Sequence, residues 1–224
     1  MTDQHPTLRA QRRSETQRMI QAHAVRLFTE HGYDATTVAG VAKAAGVSPM
    51  TVYRHFPTKE DLVLVDQNGP LVAERILASS ATQPLVRRIG TALVDAATTL
   101  TGADAGGGPG ADPTANKQFL LARLQLMIST PALRARHLDS HYALQQTIVD
   151  ALGGNAADPN TPDPDAVFRA QAAAGACLAA MNTALMRWAE DDGRSELPDL
   201  IAQALTAAFG GGITGTDRTD GTDD

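Results

Sequence analysis

The stretch Met50 to His55, MTVYRH, gathers five side chains able to read a nucleic acid. Met50, Thr51, Tyr53, Arg54 and His55 are base- and phosphate-contacting types, and in a helix they spread over the outer and flanking faces while Val52 and Phe56, four apart, turn inward. Ser48 and Pro49 mark where that helix starts. A serine oxygen accepts from the free amides of a first turn, and proline at the first helical position loses no hydrogen bond. A protruding helix of this kind enters a DNA major groove with its N-terminal residues on base edges. The competing reading is a plain αα-hairpin, whose local pattern is the same.

An element just upstream must hold that helix. Val38, Val41 and Ala42 recur at i, i+3 and i+4, which puts apolar side chains on one helical face. Ala45-Gly46-Val47 then breaks the helix, because Gly46 can take the positive φ that a sharp turn between packed helices needs. From Thr36 to Phe56, TTVAGVAKAAGVSPMTVYRHF therefore reads as a helix-turn-helix, its first helix crossing the DNA backbone and its second reading bases. Arg12 and Arg13 begin an earlier helix that runs to His31, with Ile20, Ala24, Leu27 and Phe28 on one stripe and Gly32 as its C-terminal cap. Both arginines are candidates for phosphate contact, and residues 1–11 read as a flexible arm. Thr58 to Asp61 carries a capping-box-like start for a fourth helix, whose apolar face begins at Leu62, Leu64 and Val65. Asn68-Gly69-Pro70 kinks or restarts it.

Charge divides the chain in the same place. Residues 1–58 hold seven Lys and Arg against four Asp and Glu, a balance of +3, so the rest of a chain of net charge −6 carries −9. A basic reader on an acidic body fits phosphate neutralisation by local cations. At 224 residues and 43% hydrophobic content the chain can bury one large core or two modest ones. Its one cysteine, Cys177, permits no internal disulfide, and no signal peptide or apolar membrane-spanning run is present, so a cytoplasmic protein without a membrane partner is expected.

Taken together, Phe28, Gly32-Tyr33, Thr36-Thr37-Val38, Ala45-Gly46-Val47-Ser48, Tyr53, His55-Phe56 and Lys59 resemble the N-terminal signature of the TetR family of transcriptional regulators. The resemblance covers residues 12 to about 65 in order and spacing. It implies an all-α chain with a three-helix DNA-binding domain at 12–65 and a helical effector-binding and dimerisation domain at 66–209. It also implies that Thr36, Thr37, Ser48 and Pro49 lie at the DNA, that Lys59 touches the DNA backbone, and that a homodimer binds pseudo-palindromic double-stranded DNA. Met50 stands where many members carry glycine, which bears on the base sequence read rather than on the fold.

Beyond residue 70 the periodicity predicts further helices: one from Pro84 through Leu100, one through Phe119 to Ile128, one from Leu133 to Leu152, one from about Asp165 to Glu190 and one from about Pro198 to Phe209. Loops fall at 102–113 and 153–164, and a polar tail at 210–224 reads as disordered. The Ala- and Gly-rich run AQAAAGACLAAMNTALMRW allows close helix approach. Together with the last helix it looks like the four-helix dimer interface of TetR-like proteins, the alternative being packing within one chain. Arg123, Met127, His141, Tyr142, Asn182 and Trp188 are candidates for a small-molecule site, because polar tips among apolar walls are the usual form of such sites. ARLQLMISTPALRAR and MRWAEDDG are similar to an actinobacterial TetR branch whose C-terminal domain is described as binding acyl-CoA-like ligands. That second resemblance implies an acyl-CoA-like or other apolar-tailed effector.

Catalytic chemistry finds no support. His137 and His141 are four apart but lack a completing carboxylate or cysteine, the glycines of 102–113 lack a phosphate-cradling motif, and Cys177 sits in an apolar helix as a buried thiol. No metal, cofactor or enzymatic activity is expected. The expectation is a homodimeric DNA-binding repressor released by a small molecule. The alternative is a helical adaptor or a partner-controlled DNA-binding protein with no effector.

Overall fold

A computed structural model of the chain describes residues 8–64, 68–102, 113–153 and 164–211. Ten helices form these residues, with no strand among them: α1 (Leu8–His31), α2 (Val38–Ala44), α3 (Pro49–His55), α4 (Asp61–Leu64), α5 (Asn68–Ala78), α6 (Leu85–Thr101), α7 (Pro113–Ser129), α8 (Pro131–Ala151), α9 (Pro164–Glu190) and α10 (Leu197–Phe209). The fold is all-α, as the sequence predicts. It divides into two units, the first made of residues 1–65 with 122–137 and the second of 66–121 with 138–224.

In the first unit, the apolar stripes meet in one core. Ile20, Ala24, Phe28, Val41, Val52, Phe56, Leu62 and Leu133 are all essentially inaccessible. Burying each large member contributes about 1.5–3 kcal/mol against the entropy of ordering short helices. α1 starts at Leu8 rather than Arg12, because Leu8-Arg9-Ala10-Gln11 are all good helix formers and nothing in them stops the helix. The expected arm therefore shortens by four residues, and 1–7 lie outside the described residues. Thr58 and Asp61 cap α4 reciprocally: the Thr58 amide donates to Asp61 Oδ2 at 3.0 Å and the Asp61 amide to Thr58 Oγ1 at 3.3 Å. Residues 122–137, the end of α7 and the start of α8, fall inside the expected 66–209 domain but group with the first unit. Arg136 pairs there with Asp61 at 3.5 Å.

The second unit packs α5 on α6 and α6 on α9 and α10. Ile76, Ile89, Leu178, Trp188, Ile201 and Leu205 fill its core. Asn68-Gly69-Pro70 form the first turn of α5, where a missing proline N–H costs no helical bond. The buried Arg88 closes the carboxyl end of α5, donating from Nε to Ser79 Oγ at 2.8 Å and from Nη2 to the Ile76 carbonyl at 3.1 Å. Cys177 is fully buried, and burial pushes its thiol up to about 12, so it is protonated and inert at neutral pH. The expected loops and tail lie almost wholly outside the described residues. Among the described residues no helix is long and apolar enough to cross a membrane.

Candidate nucleic-acid interface

The reading helix is fixed from both ends by local chemistry. Thr37 starts α2, its hydroxyl accepting from the Gly40 amide at 3.0 Å. Gly46, at φ 67°, then reverses the chain, with its own amide donating to the Lys43 carbonyl at 3.2 Å and the Val47 amide to the Ala42 carbonyl at 3.0 Å. This paired closure satisfies carbonyls that a helix end leaves open. Two residues later Ser48 begins α3, its Oγ accepting from the Thr51 amide at 3.1 Å while Pro49 occupies the first turn.

With Val52 and Phe56 anchored in the core, the other face of α3 points outward: Met50 is 77% and Tyr53 49% exposed, and Arg54 is exposed beside them. Thr51 is half-buried and shares a hydrogen bond with the Ser48 hydroxyl at 2.9 Å. Arg12 and Arg13 stand exposed on α1, and the charge of Arg13 is felt by His55. Three basic side chains, Arg13, Arg54 and His55, thus come together from two helices at the end of α3. The His55 imidazole is held below its ordinary value by burial first, then by Arg54 and Arg13, which favours the neutral ring.

Two expected DNA contacts are placed differently. Thr36 is 7% exposed, and its hydroxyl donates to the Gly32 carbonyl at 2.9 Å and to the Leu27 carbonyl at 3.3 Å. It therefore ties the α1–α2 turn from inside, since a buried hydroxyl needs a local acceptor. Lys59 is half-buried and donates to the Tyr33 carbonyl at 2.6 Å, with its ammonium 4.2 Å from the Tyr33 ring centroid and 5.6 Å from that of Phe28. The Tyr33 hydroxyl donates in turn to Glu60 Oε1 at 2.8 Å. Burial, then the Glu60 bond and charge, push the Tyr33 phenol well above its usual range. Burial also raises the Glu60 carboxyl, but its backbone hydrogen bond and those from Tyr33 and Thr58 outweigh that and hold it low. Lys59 and Glu60 so grip Tyr33 from two sides. Gly-Tyr upstream and Lys-Glu after Phe56 are the only trace of this clasp in the sequence, because its partners meet across 26 and 27 residues.

The six candidate effector residues are shared between the units. Arg123 and Met127 belong to the first, where Arg123 Nε donates to the Val63 carbonyl at 2.6 Å and Met127 is buried. His141, Tyr142, Asn182 and Trp188 belong to the second. There Tyr142 is exposed, while Trp188 is buried with its indole donating to the Ser195 carbonyl at 3.0 Å. Among the described residues no cluster of His, Cys, Asp or Glu could hold a metal ion.

Comparison with known proteins agrees with this geometry. Residues 20–65 match the family described as "Bacterial regulatory proteins, tetR family", and residues 111–211 match the "MftR C-terminal domain". The chain is 34% identical over 83 residues to the HTH-type transcriptional regulator TcmR of Streptomyces glaucescens, covering 37% of this chain and 36% of that protein. It is 54% identical over 43 residues to an uncharacterized HTH-type transcriptional regulator of Mycobacterium tuberculosis, covering 19% of this chain and 21% of that one. These curated relatives are thus matched over well under half of their length. Among solved structures, the fatty acid degradation regulator FadR of Bacillus halodurans superposes with a TM-score of 0.53 at 20% identity, covering 87% of this chain and 98% of that one. FadR of Bacillus subtilis, in complex with stearoyl-CoA, gives a TM-score of 0.50 at 18% identity, covering 86% of this chain and 98% of that one. At such identities the likeness concerns the fold.

Proposed function

This chain belongs to the TetR family of bacterial regulators, and on that premise we propose that it is a sequence-specific DNA-binding transcriptional regulator, acting as a homodimeric repressor that a small molecule releases from its operator. The observation that carries the reading is α3 itself: a capped, core-anchored helix whose outward face presents Met50, Tyr53 and Arg54, with Arg13 and His55 beside it. Inserted in a major groove, Met50 and Thr51 meet base edges, and Arg54 meets a base edge or phosphate. Arg12, Arg13 and His55 add phosphate contacts, His55 as a neutral donor, and Thr37, Ser48 and Pro49 lie where the backbone passes the two helix starts.

Dimerisation is supported by the exposed face of α9. α9 turns Ala174, Cys177, Leu178 and Trp188 into its own core, yet leaves Ala172, Ala176, Ala179 and Thr183 exposed on another face. Small side chains there let a second copy approach closely. For the effector, an acyl-CoA-like or other apolar-tailed molecule in the second unit is favoured by the stearoyl-CoA bound to a protein of the same fold. His141, Tyr142 and Asn182 are the candidates for contacting it, whereas Trp188 is buried in the core with its indole N–H already given to Ser195. Arg123 and Met127, also expected to contact an effector, lie in the first unit, where Arg123 is tied to the Val63 carbonyl and Met127 is buried.

Footprinting on the DNA upstream of the protein's own gene is the direct test. The reading expects a protected pseudo-palindrome whose half-sites lie about one helical turn apart, with affinity that falls steeply as salt rises. Absence of salt-dependent, sequence-selective protection favours the helical adaptor instead.

A further inference from the structure

The first turn of α3 presents one side chain whose chemistry the fold does not use. Met50 is 77% exposed, more than any other large apolar residue among those described, although burial of a methionine ordinarily stabilises a fold. Its helix explains the orientation. Val52 and Phe56 are inaccessible and fix the face that turns inward, so Met50 stands on the opposite side. Tyr53, three residues on and 49% exposed, shares that side. The nearest competitor for the same contact is Thr51, which is half-buried and whose hydroxyl is held by the Ser48 hydroxyl at 2.9 Å. An exposed thioether brings no hydrogen-bond donor and only a weak acceptor, so what it recognises is an apolar group.

The base edges in a major groove carry only one such group, the C5 methyl of thymine. Guanine shows two acceptors there, cytosine a donor, and adenine one of each. A methionine laid over any of those three takes water from polar atoms and returns no hydrogen bond, which disfavours them. We propose that Met50 is a thymine reader: its side chain packs on the C5 methyl of one thymine in each operator half-site, with the Tyr53 ring beside it, and so selects the base at that position. This inference rests on the DNA-binding function proposed above and deepens it, by naming a base and the group on it that one side chain recognises. The area covered sets the expected size. Removing a methyl that is covered on binding weakens association about fourfold, hence about fifteenfold where both half-sites of a dimer lose it. Polar contacts from Arg54 and His55 do not give this signature, because the hydrogen-bonding groups of thymine are unchanged when its methyl is lost.

The test uses the full chain and its footprinted operator, with deoxyuridine replacing thymine at one position of both half-sites at a time. Uracil pairs as thymine does and lacks only the methyl. In gel-shift titration the unsubstituted chain should lose about fifteenfold in affinity at one such position. There Met50→Ala should bind the thymine and deoxyuridine operators with nearly equal affinity, and Met50→Leu, apolar and close in volume, should restore most of the difference. Thr51→Ser, which removes the one methyl that Thr51 offers, should leave the difference intact. Because Met50 is exposed, its variants should keep the thermal midpoint of the unsubstituted chain, and the deoxyuridine ratio compares two DNAs on one protein. An operator that binds equally well without each of its thymine methyls overturns the proposal. So does a ratio that survives Met50→Ala, or one lost in Thr51→Ser instead. A chain with no sequence-selective binding refutes the proposed function and this inference with it, whereas selective binding with no methyl coupling to Met50 refutes the inference alone.

Discussion

His55 joins two demands that conflict. Its Nδ1 is buried with no hydrogen-bond partner, so a proton there has no acceptor, and Arg54 and Arg13 oppose a further charge nearby. The neutral ring answers both, leaving Nε2 as the group that can meet a phosphate. Because the folded chain binds this proton less readily than the unfolded one, whose histidine titrates at about 6.5, the stability it contributes is complete above that pH and is lost as pH falls through the lower folded value. The thermal midpoint should therefore fall between about pH 7.5 and pH 5.5, and His55→Gln should lose a measurable part of that fall. An identical pH profile in the variant rejects the argument. For Lys59 the clasp predicts a structural cost: Lys59→Met should destabilise by about 1 kcal/mol in urea unfolding, through the lost Tyr33 bond and ring contact. We expect it to change the salt dependence of operator binding less than Arg54→Ala does, because the Lys59 ammonium is already engaged. A larger salt effect from Lys59→Met returns this residue to the DNA backbone, where the family resemblance puts it.

At the scale of elements, the α2–α3 corner sets the angle of the reader and rests on two residues. A Cβ placed on Gly46 meets nothing within 4 Å, so substitution there costs backbone conformation alone. Gly46→Ala should lose about 1–2 kcal/mol, and Gly46→Asn clearly less, since asparagine tolerates the left-handed region. Equal losses would show that steric contact, not φ, governs the site. Ser48→Ala removes the acceptor of the Thr51 amide and should cost about 1 kcal/mol. Both changes lower operator affinity beyond their effect on stability if the corner positions α3, which gel-shift titration well below the unfolding midpoint can read.

The whole molecule is proposed to work as a pair, since two readers must meet groove faces about one turn apart. Ala179→Arg places a charged side chain on the exposed small-residue face of α9, away from the buried stripe, so the protomer should fold while association fails. Light scattering should then give a monomer mass, and operator affinity should fall by far more than any single reading-face substitution causes. A monomer mass for the unsubstituted chain at micromolar concentration rejects the dimer. So does an Ala179→Arg variant that stays dimeric, for this choice of face.

Local signals along the chain set the elements and the placement of the reader. Helical periodicity, Ser48-Pro49, Gly46 and the Thr58-Asp61 box are signals carried by neighbours a few residues apart, and short-range hydrogen bonds and φ preferences are enough to fix them. The inward pair Val52 and Phe56 followed for the same reason, because a residue's face on a short helix depends only on spacing. α1 starts four residues before Arg12, where a run of good helix formers carries no boundary signal. Packing governs what happens across long separations. It buried Thr36 against α1, gave Lys59 and Glu60 to Tyr33, brought Arg13 to His55, and joined residues 122–137 to the first unit. Such contacts depend on how whole faces pack, and a polar side chain takes whichever acceptor that packing leaves within reach, which no local spacing specifies.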